Sequence, residues 1–396
     1  MIAGGRRRLL AGAATAVLTI TATACSGSDQ SATETGDGGS TSAEYLALAE
    51  RITQDATAGV VYAPGNGFTP GSELTPMQTW MGPTETPPLP ASAHIAFVSC
   101  GATVCNETAQ AGASLAEHAG FDATLVNING SADIANINQA MASAIALRPD
   151  AIIAVCVTAT QVSDKLEAAR ASGIVTVSTC DPTPTGGHGQ FDAAADYANG
   201  LSAELLGWGI VADTEGKADV VAIRDEAFPA VVRKIDNLTR VIEDCAGCKV
   251  STATWQITDA NNSATAANIL GSIINANPTM NTLVLPYSVG AFSAVQAVAS
   301  SGRDIKIYAD DLDAVNQQLL ADGSLTMVSS VDPKLAMYQS VDQVIRGLAG
   351  TPYVEPADLP YLAHLYSSED PPTTGVGAFQ SFFDYESVYA DLWGTQ

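Results

Sequence analysis

The sequence predicts an α/β protein of two doubly wound lobes, each built on a parallel sheet. Three observations carry this: short uninterrupted apolar runs, amphipathic stretches between them, and a restart of that alternation partway along a 396-residue chain. At roughly 100–200 residues per domain, the length suits two domains with appendages. The run His94-Ile-Ala-Phe-Val-Ser-Cys100 reads as a buried strand, followed by a helix over 105–119 that Gly120 stops. A strand over 122–128 comes next. Ile134, Ile137, Met141 and Ile145 then recur at helical spacing over 134–147. Ala151-Ile-Ile-Ala-Val-Cys-Val157 is apolar throughout, as a parallel strand covered on both faces requires. A helix over 161–172 ends at Gly173, and a strand spans 174–179. The pattern then restarts, with helices over 193–213, 228–244, 260–275, 290–301, 312–321 and 333–348. Strands over 219–223, 249–257, 282–285, 305–309 and 325–330 lie between them.

The ends of the chain do not follow this rhythm. Arg6-Arg7-Arg8 precedes a short apolar stretch that runs through small residues into Cys25, too short for a stable membrane span. Residues 26–43 are rich in Ser, Thr, Gly and Asp, which makes a flexible tether. A helix is expected over 42–58. Proline recurs through 60–92, including Pro87-Pro88 and Pro90, and restricts that stretch to an extended strap. At the other end Phe379, Phe382, Phe383, Tyr385, Tyr389 and Trp393 form an aromatic extension expected to clasp the body.

Composition narrows the function. The 42 Asp and Glu against 17 Lys and Arg leave a formal net charge of −25, which repels phosphate backbones and excludes nucleic acid as a partner. Six cysteines follow Cys25: Cys100, Cys105, Cys156, Cys180, Cys245 and Cys248. An even count in an exported chain suggests a disulfide framework whose connectivity the sequence leaves open. Cys245-Ala-Gly-Cys248 precedes a strand instead of opening a helix, so it reads as a loop staple, not a redox pair. The cysteines show no second zinc knuckle and the histidines are scattered, so no metal is expected. Gly-x-Ser-x-Gly and His-Glu-x-x-His are absent, and Gly216-Lys217-Ala218 lacks the rest of a phosphate loop. An enzyme or a cofactor is not expected.

The strand at 94–100, Arg148-Pro-Asp-Ala-Ile-Ile, Ala171-Ser-Gly-Ile-Val-Thr-Val and the Asp181 that follows resemble the type I periplasmic substrate-binding proteins of ABC importers, the ribose-binding kind among them. Asp196-Tyr-Ala-Asn-Gly, Asn275-Ala-Asn-Pro, Ala309-Asp-Asp and Ala321-Asp-Gly-Ser-Leu continue the resemblance in order, over residues 93 to about 367. Gly82-Pro83-Thr84 is similar to a stretch of actinobacterial lipoprotein members, and the approach to Cys25 resembles a lipobox with Ala22 in place of the usual leucine. The resemblance implies a lipoprotein signal peptide over 1–24, lipidation of Cys25, and a tether, helix and strap over 25–92. It implies a first lobe of 93–192 plus 332–350, a second of 193–331 plus 351–367, and an extension over 368–396. Three chain crossings would form the hinge, near Ala193, Val331 and Thr351.

The resemblance also implies a site between the lobes. Asp181 corresponds to a carboxylate that accepts from ligand hydroxyls, with a helix-cap or turn role as the plainer reading. Asp311, or its neighbour Asp310, matches the acid of the second lobe, and Arg233 or Lys234 stands near the family's arginine. Thr158 follows the third strand, Tyr287 stands where sugar binders carry an asparagine, and Ser330 lies near the third hinge crossing. The first loop, Cys100-Gly-Ala-Thr-Val-Cys105-Asn106, departs most from the pattern. It lacks the stacking rings of ribose and galactose binders and offers Thr103 and Asn106. A Cys100–Cys105 bridge would stiffen it; Cys156–Cys180 and Cys100–Cys156 are further pairings. The expected function is a monomeric, extracytoplasmic solute-binding protein, held to the outer face of the cytoplasmic membrane by its lipid alone. It would deliver a small hydroxyl-rich solute, sugar- or polyol-like, to a membrane permease. A surface sensor on the same fold is the alternative.

Overall fold

The computed structural model describes residues 42–58, 61–64, 80–126, 133–181, 183–195, 200–372 and 384–395. The signal segment, Cys25 and its tether, residues 65–79 of the strap, Asp196 to Asn199 and the phenylalanines of the C-terminal extension lie outside these residues. The chain begins with helix α1 (Ser42–Ala58) and strand β1 (Val61–Pro64). The first lobe follows as β2 (His94–Ser99), α2 (Thr103–His118), β3 (Asp122–Val126), α3 (Ile134–Ala146), β4 (Ala151–Val155), α4 (Ala159–Ala171), β5 (Val175–Ser178) and β6 (Ala193–Ala194). Its five strands are all parallel, in the order β3-β2-β4-β5-β6. Every residue of β4 is buried, which is why its run is apolar without alternation.

The second lobe runs α5 (Leu201–Asp213), β7 (Asp219–Arg224), α6 (Pro229–Glu243), β8 (Lys249–Thr254), the short α7 (Ile257–Ala260), α8 (Ser263–Ala276), β9 (Thr282–Leu285), α9 (Ala291–Ser301), β10 (Lys306–Asp310), α10 (Ala314–Ala321) and β11 (Met327–Val331). Helix α11 (Pro333–Ala349), a single 3-10 turn (Pro356–Asp358), β12 (Pro360–Ser367) and α12 (Tyr385–Trp393) complete the chain. The second sheet has the order β1-β12-β11-β10-β9-β7-β8, with β12 and β1 antiparallel at one edge. Helix α5 is buried from Leu201 to Val211, since α1 and α6 cover it on one side and the sheet on the other. A Cβ on Gly209 of this helix would stand 2.9 Å from a Leu365 methyl, so glycine lets the helix settle on the sheet.

Three expected elements come out differently. The helix expected from residue 193 begins at Leu201. Ala193 and Ala194 instead pair with Val177 and Ser178, because Asp192 accepts hydrogen bonds from the backbone and hydroxyl of Thr176 and draws the chain onto the sheet edge. The strap contains a strand: β1 pairs with β12, in the register Val61 to Ala363. It covers an edge that would otherwise present unpaired backbone groups. The strand expected through Val157 stops at Val155, since Cys156 turns into left-handed backbone at φ 54°.

The connections explain how the lobes are joined. Beyond Ala195 the chain leaves the first sheet for α5. It returns at Asp332, whose carboxylate caps α11 through the N–H groups of Lys334 and Leu335. It leaves again between α11, which packs on α2 and β5, and β12. Strand β1 adds a fourth passage, because it belongs to the second sheet while β2 belongs to the first. At the first-lobe end of that passage Trp80 lies edge-on to Tyr389 of α12. Helix α12 itself packs on α11 through Tyr338, whose ring stacks on Trp393, and Tyr385 donates to Asp332 at 2.8 Å.

Candidate functional site

In each sheet the first of the parallel strands lies inside, with its successors on opposite sides: β2 between β3 and β4, and β7 between β8 and β9. These reversals are the topological switch points, where the carboxyl ends of the strands leave a crevice. The crevices of the two lobes face one another around a cavity of about 60 Å³. The first lobe contributes Cys100, Ala102, Val104, Cys105, Thr158 and the Cys156–Cys180 disulfide. The second contributes Phe228, Ala230, Val231, Lys234, Ile257, Tyr287 and Asp311. The lobes touch at its rim, where the Gln161 amide of α4 donates to the Ala227 carbonyl at 3.1 Å.

Four of the nine expected binding residues therefore line the cavity: Thr158, Lys234, Tyr287 and Asp311. Lys234 is buried on α6, with its ammonium 2.8 Å from Asp311 Oδ1 and 3.1 Å from Asp310 Oδ2. Burial alone would lower its pKa, but the charges of Asp310 and Asp311 outweigh that and raise it, so it is a cation. Burial pushes Asp311 up to about 6, with Lys234 opposing and Asp310 reinforcing. Asp311 sits in left-handed backbone at φ 69°, which turns its side chain off the strand end toward Lys234. The two candidate acids divide the work. Asp310 is an internal hub, accepting from the Ser202 and Ser329 hydroxyls at 3.0 and 3.1 Å, while Asp311 reaches the cavity.

Tyr287 is held by a second buried acid. Its hydroxyl donates to Asp225 Oδ2 at 3.2 Å, and its ring stacks on Trp255. Asp225 also accepts from the N–H groups of Ala227 and Ile257, so one carboxylate ties together the loop after β7, the start of α7 and the end of β9.

The other five lie elsewhere. Asp181 is buried behind the cavity wall, and both of its oxygens serve the backbone of its own lobe: Oδ2 accepts from Ala159 N–H at 2.5 Å and Oδ1 from Thr183 N–H at 3.0 Å. The turn-and-cap reading describes it. Asn106 turns back onto its own loop, accepting from the Ser99 hydroxyl and donating to the Gly101 carbonyl. Thr103 is the exposed first residue of α2. Arg233 is half-buried, one helical position away from the cavity-facing Lys234. Ser330 is buried in β11 and donates to the Val331 carbonyl at 2.9 Å.

The cysteines arrange themselves around the same place. Cys245 and Cys248 are bonded in the loop before β8, and Cys156 is bonded to Cys180 across neighbouring strand ends. Cys100 and Cys105 are buried with their sulfur atoms 2.7 Å apart, the pair considered as a bridge for that loop. Sequence reasoning also missed the apolar wall. Phe228 and Val231 were expected only as members of a helix and Ile257 as the end of a strand, whereas that strand stops at Thr254 and Ile257 opens α7; the available signal was their place at the helix starts that follow β7 and β8. The residues just before α2 and α6, Ala102 and Phe228, supply no side-chain cap.

A periplasmic binding protein domain model matches residues 97–352. Among solved structures, the chain resembles GanP, a glucose-galactose binding protein from Geobacillus stearothermophilus, at 17% identity and a TM-score of 0.62, over 72% of this chain and 100% of that one. An ABC transporter solute-binding protein from Mycobacterium smegmatis, solved with glycerol, matches at 17% identity and a TM-score of 0.61, over 73% and 100%. A counterpart from Agrobacterium vitis, solved with allitol, matches at 20% identity and a TM-score of 0.58, over 70% and 96%. No curated protein matches the chain. Among the described residues no helix is long and apolar enough to cross a membrane. The matched span runs from β2 past the end of α11 and so takes in both lobes and the cavity between them: the chain belongs to the periplasmic binding protein family, with that family's type I arrangement of two α/β lobes.

Proposed function

We propose that this protein is the lipid-anchored solute-binding component of an ABC importer, which captures a small sugar- or polyol-like solute between its lobes and presents it to a membrane permease. The observation that carries the reading is the cavity itself. It lies at the switch points of both sheets and holds a buried cation, a carboxylate and a hydroxyl in Lys234, Asp311 and Thr158. A solute touching both lobes stabilises their apposed state by its differential affinity for that state. Solved structures of the same fold carrying glycerol or allitol support the solute class. The anchor rests on Cys25 and the small residues before it, and two or more acyl chains would hold the protein stably at a membrane surface. The chain acts as a monomer outside the cytoplasm.

Two measurements test this. Thermal-shift screening against sugars, polyols and other small metabolites is expected to raise the melting temperature with at least one compound, recovered chemically unchanged. No stabilising compound, or conversion of the compound, contradicts the reading. Growth with radiolabelled palmitate is expected to label the wild type and not Cys25→Ala, and equal labelling removes the anchor.

A further inference from the structure

The cavity has two unlike halves. One is a wall of sulfur and methyl groups: Val104, Cys105 and the Cys156–Cys180 disulfide face Phe228, Val231 and Ile257. Sulfur is polarisable and a poor hydrogen-bond partner, so this wall behaves as apolar surface. The other half is polar and small, comprising Lys234, Asp311 and Thr158.

The groups that would ordinarily take further hydroxyls are already engaged. Asp181 caps backbone on both oxygens. Asp310 accepts from two serines, the Asp311 N–H and Lys234. The Tyr287 hydroxyl is given to Asp225. An ammonium has three donors, and Lys234 directs two contacts to carboxylates, which leaves one for a guest. A solute with hydroxyls around its whole rim would press several against sulfur and methyl groups, each losing its water without a replacement partner. An anionic head would meet two carboxylates for one cation.

Resting on the reading of this cleft as a solute site, we infer that its guest is a carbohydrate or polyol with one apolar flank: a deoxy, O-alkyl or S-alkyl derivative. Its hydroxyl end sits on Lys234, Asp311 and Thr158, and its apolar flank lies along the sulfur-and-methyl wall. A neutral guest suits the charge balance. Replacing one hydroxyl by hydrogen or an alkyl group on that flank is expected to tighten binding about tenfold, the scale of one desolvated and unpaired hydroxyl.

Calorimetric titration of the intact protein tests this with matched probes: D-ribose against 5-deoxy-D-ribose and its 5-methylthio analogue, D-galactose against 6-deoxy-D-galactose, and D-glucose against methyl glucosides. In at least one pair the derivative should bind about tenfold tighter than its parent. Val231→Asn should bring that ratio toward one. Ala102→Ser, a milder change at a helix start, should do the same in part and serves if the first variant does not fold. Parents binding as tightly as derivatives in every pair, or a ratio untouched in both folded variants, overturns the inference and leaves the solute-binding reading standing. No binding by any parent or derivative overturns both.

Discussion

The two lobes carry the same fold but bring different chemistry to the cleft. The strand ends of the first lobe offer cysteine sulfur, alanine and valine, and its buried acid Asp181 is spent on backbone. The strand ends of the second lobe offer an ion triad, Lys234 with Asp310 and Asp311, and a tyrosine–carboxylate pair, Tyr287 with Asp225. The difference teaches that a shared architecture sets where a ligand goes and not which lobe recognises it. Here the charged groups at the cavity belong to the second lobe, and the first supplies a wall braced by the Cys156–Cys180 bond.

The strongest way to break this contrast is to remove the cation. Lys234→Ala leaves two carboxylates facing each other without their partner, and removing one member of a buried ion group costs about 3–5 kcal/mol. Urea unfolding should show a loss of that size, and a change under about 1 kcal/mol would mean the triad is not closed off from water. The matching test on the first lobe is Cys156→Ser with Cys180→Ser. That bond spans a sequence separation of 24, and loss of such a loop constraint should cost about 3 kcal/mol. Reduced wild type should drop further, because reduction also opens Cys245–Cys248. Tyr287→Phe removes one donor from Asp225 but leaves its two backbone donors, so about 1–2 kcal/mol is expected by thermal unfolding.

The smallest effect sharpens the comparison at the rim. Glu107 of α2 feels the charge of Asp313, which caps α10 in the other lobe. Burial, and then the Asp313 charge, push the Glu107 carboxyl up to about 7 from its ordinary 4.5. The apposed lobes therefore hold a proton that a separated or unfolded chain releases between those values. Raising the pH through that window should weaken lobe apposition. The midpoint of unfolding should fall as pH rises from about 5 to 7, and Glu107→Gln should flatten that slope. An unchanged slope in the variant would assign it to another group, Asp332 being one, since burial raises it to about 6.

Much of the architecture was legible because it is local. The buried run of β4, the spacing of Ile137 and Met141 and the stops at Gly120 and Gly173 are each set within a few residues. The bounds of α1 and the start of α11 followed in the same way. What was not legible depends on partners distant in sequence. Nothing in Val61–Pro64 announces that its partner strand is at Ala363, and nothing in Ala193-Ala194 announces the edge of β5. In the site, Lys234 and Asp311 were reached through the family resemblance, as neighbours of its arginine and its second-lobe acid. Phe228, Val231 and Ile257 did not stand out, because an apolar residue at a helix start looks the same whether it meets core or cavity. Asp181 read as a hydroxyl acceptor through the resemblance, and its place after a strand fitted a cap or turn equally well. The N–H groups of Ala159 and Thr183, which occupy it, are not visible in the sequence.

The central claim is that the space between the lobes is where a solute is held and that holding it draws the lobes together. Small-angle X-ray scattering of the protein, with and without the tightest-binding compound from the matched sugar probes, tests it directly. The account predicts a smaller radius of gyration with the compound, and no such contraction in Ala230→Trp, whose indole would fill the cavity. An identical radius with and without a compound that calorimetry shows to be bound, or full binding and contraction in Ala230→Trp, would contradict it.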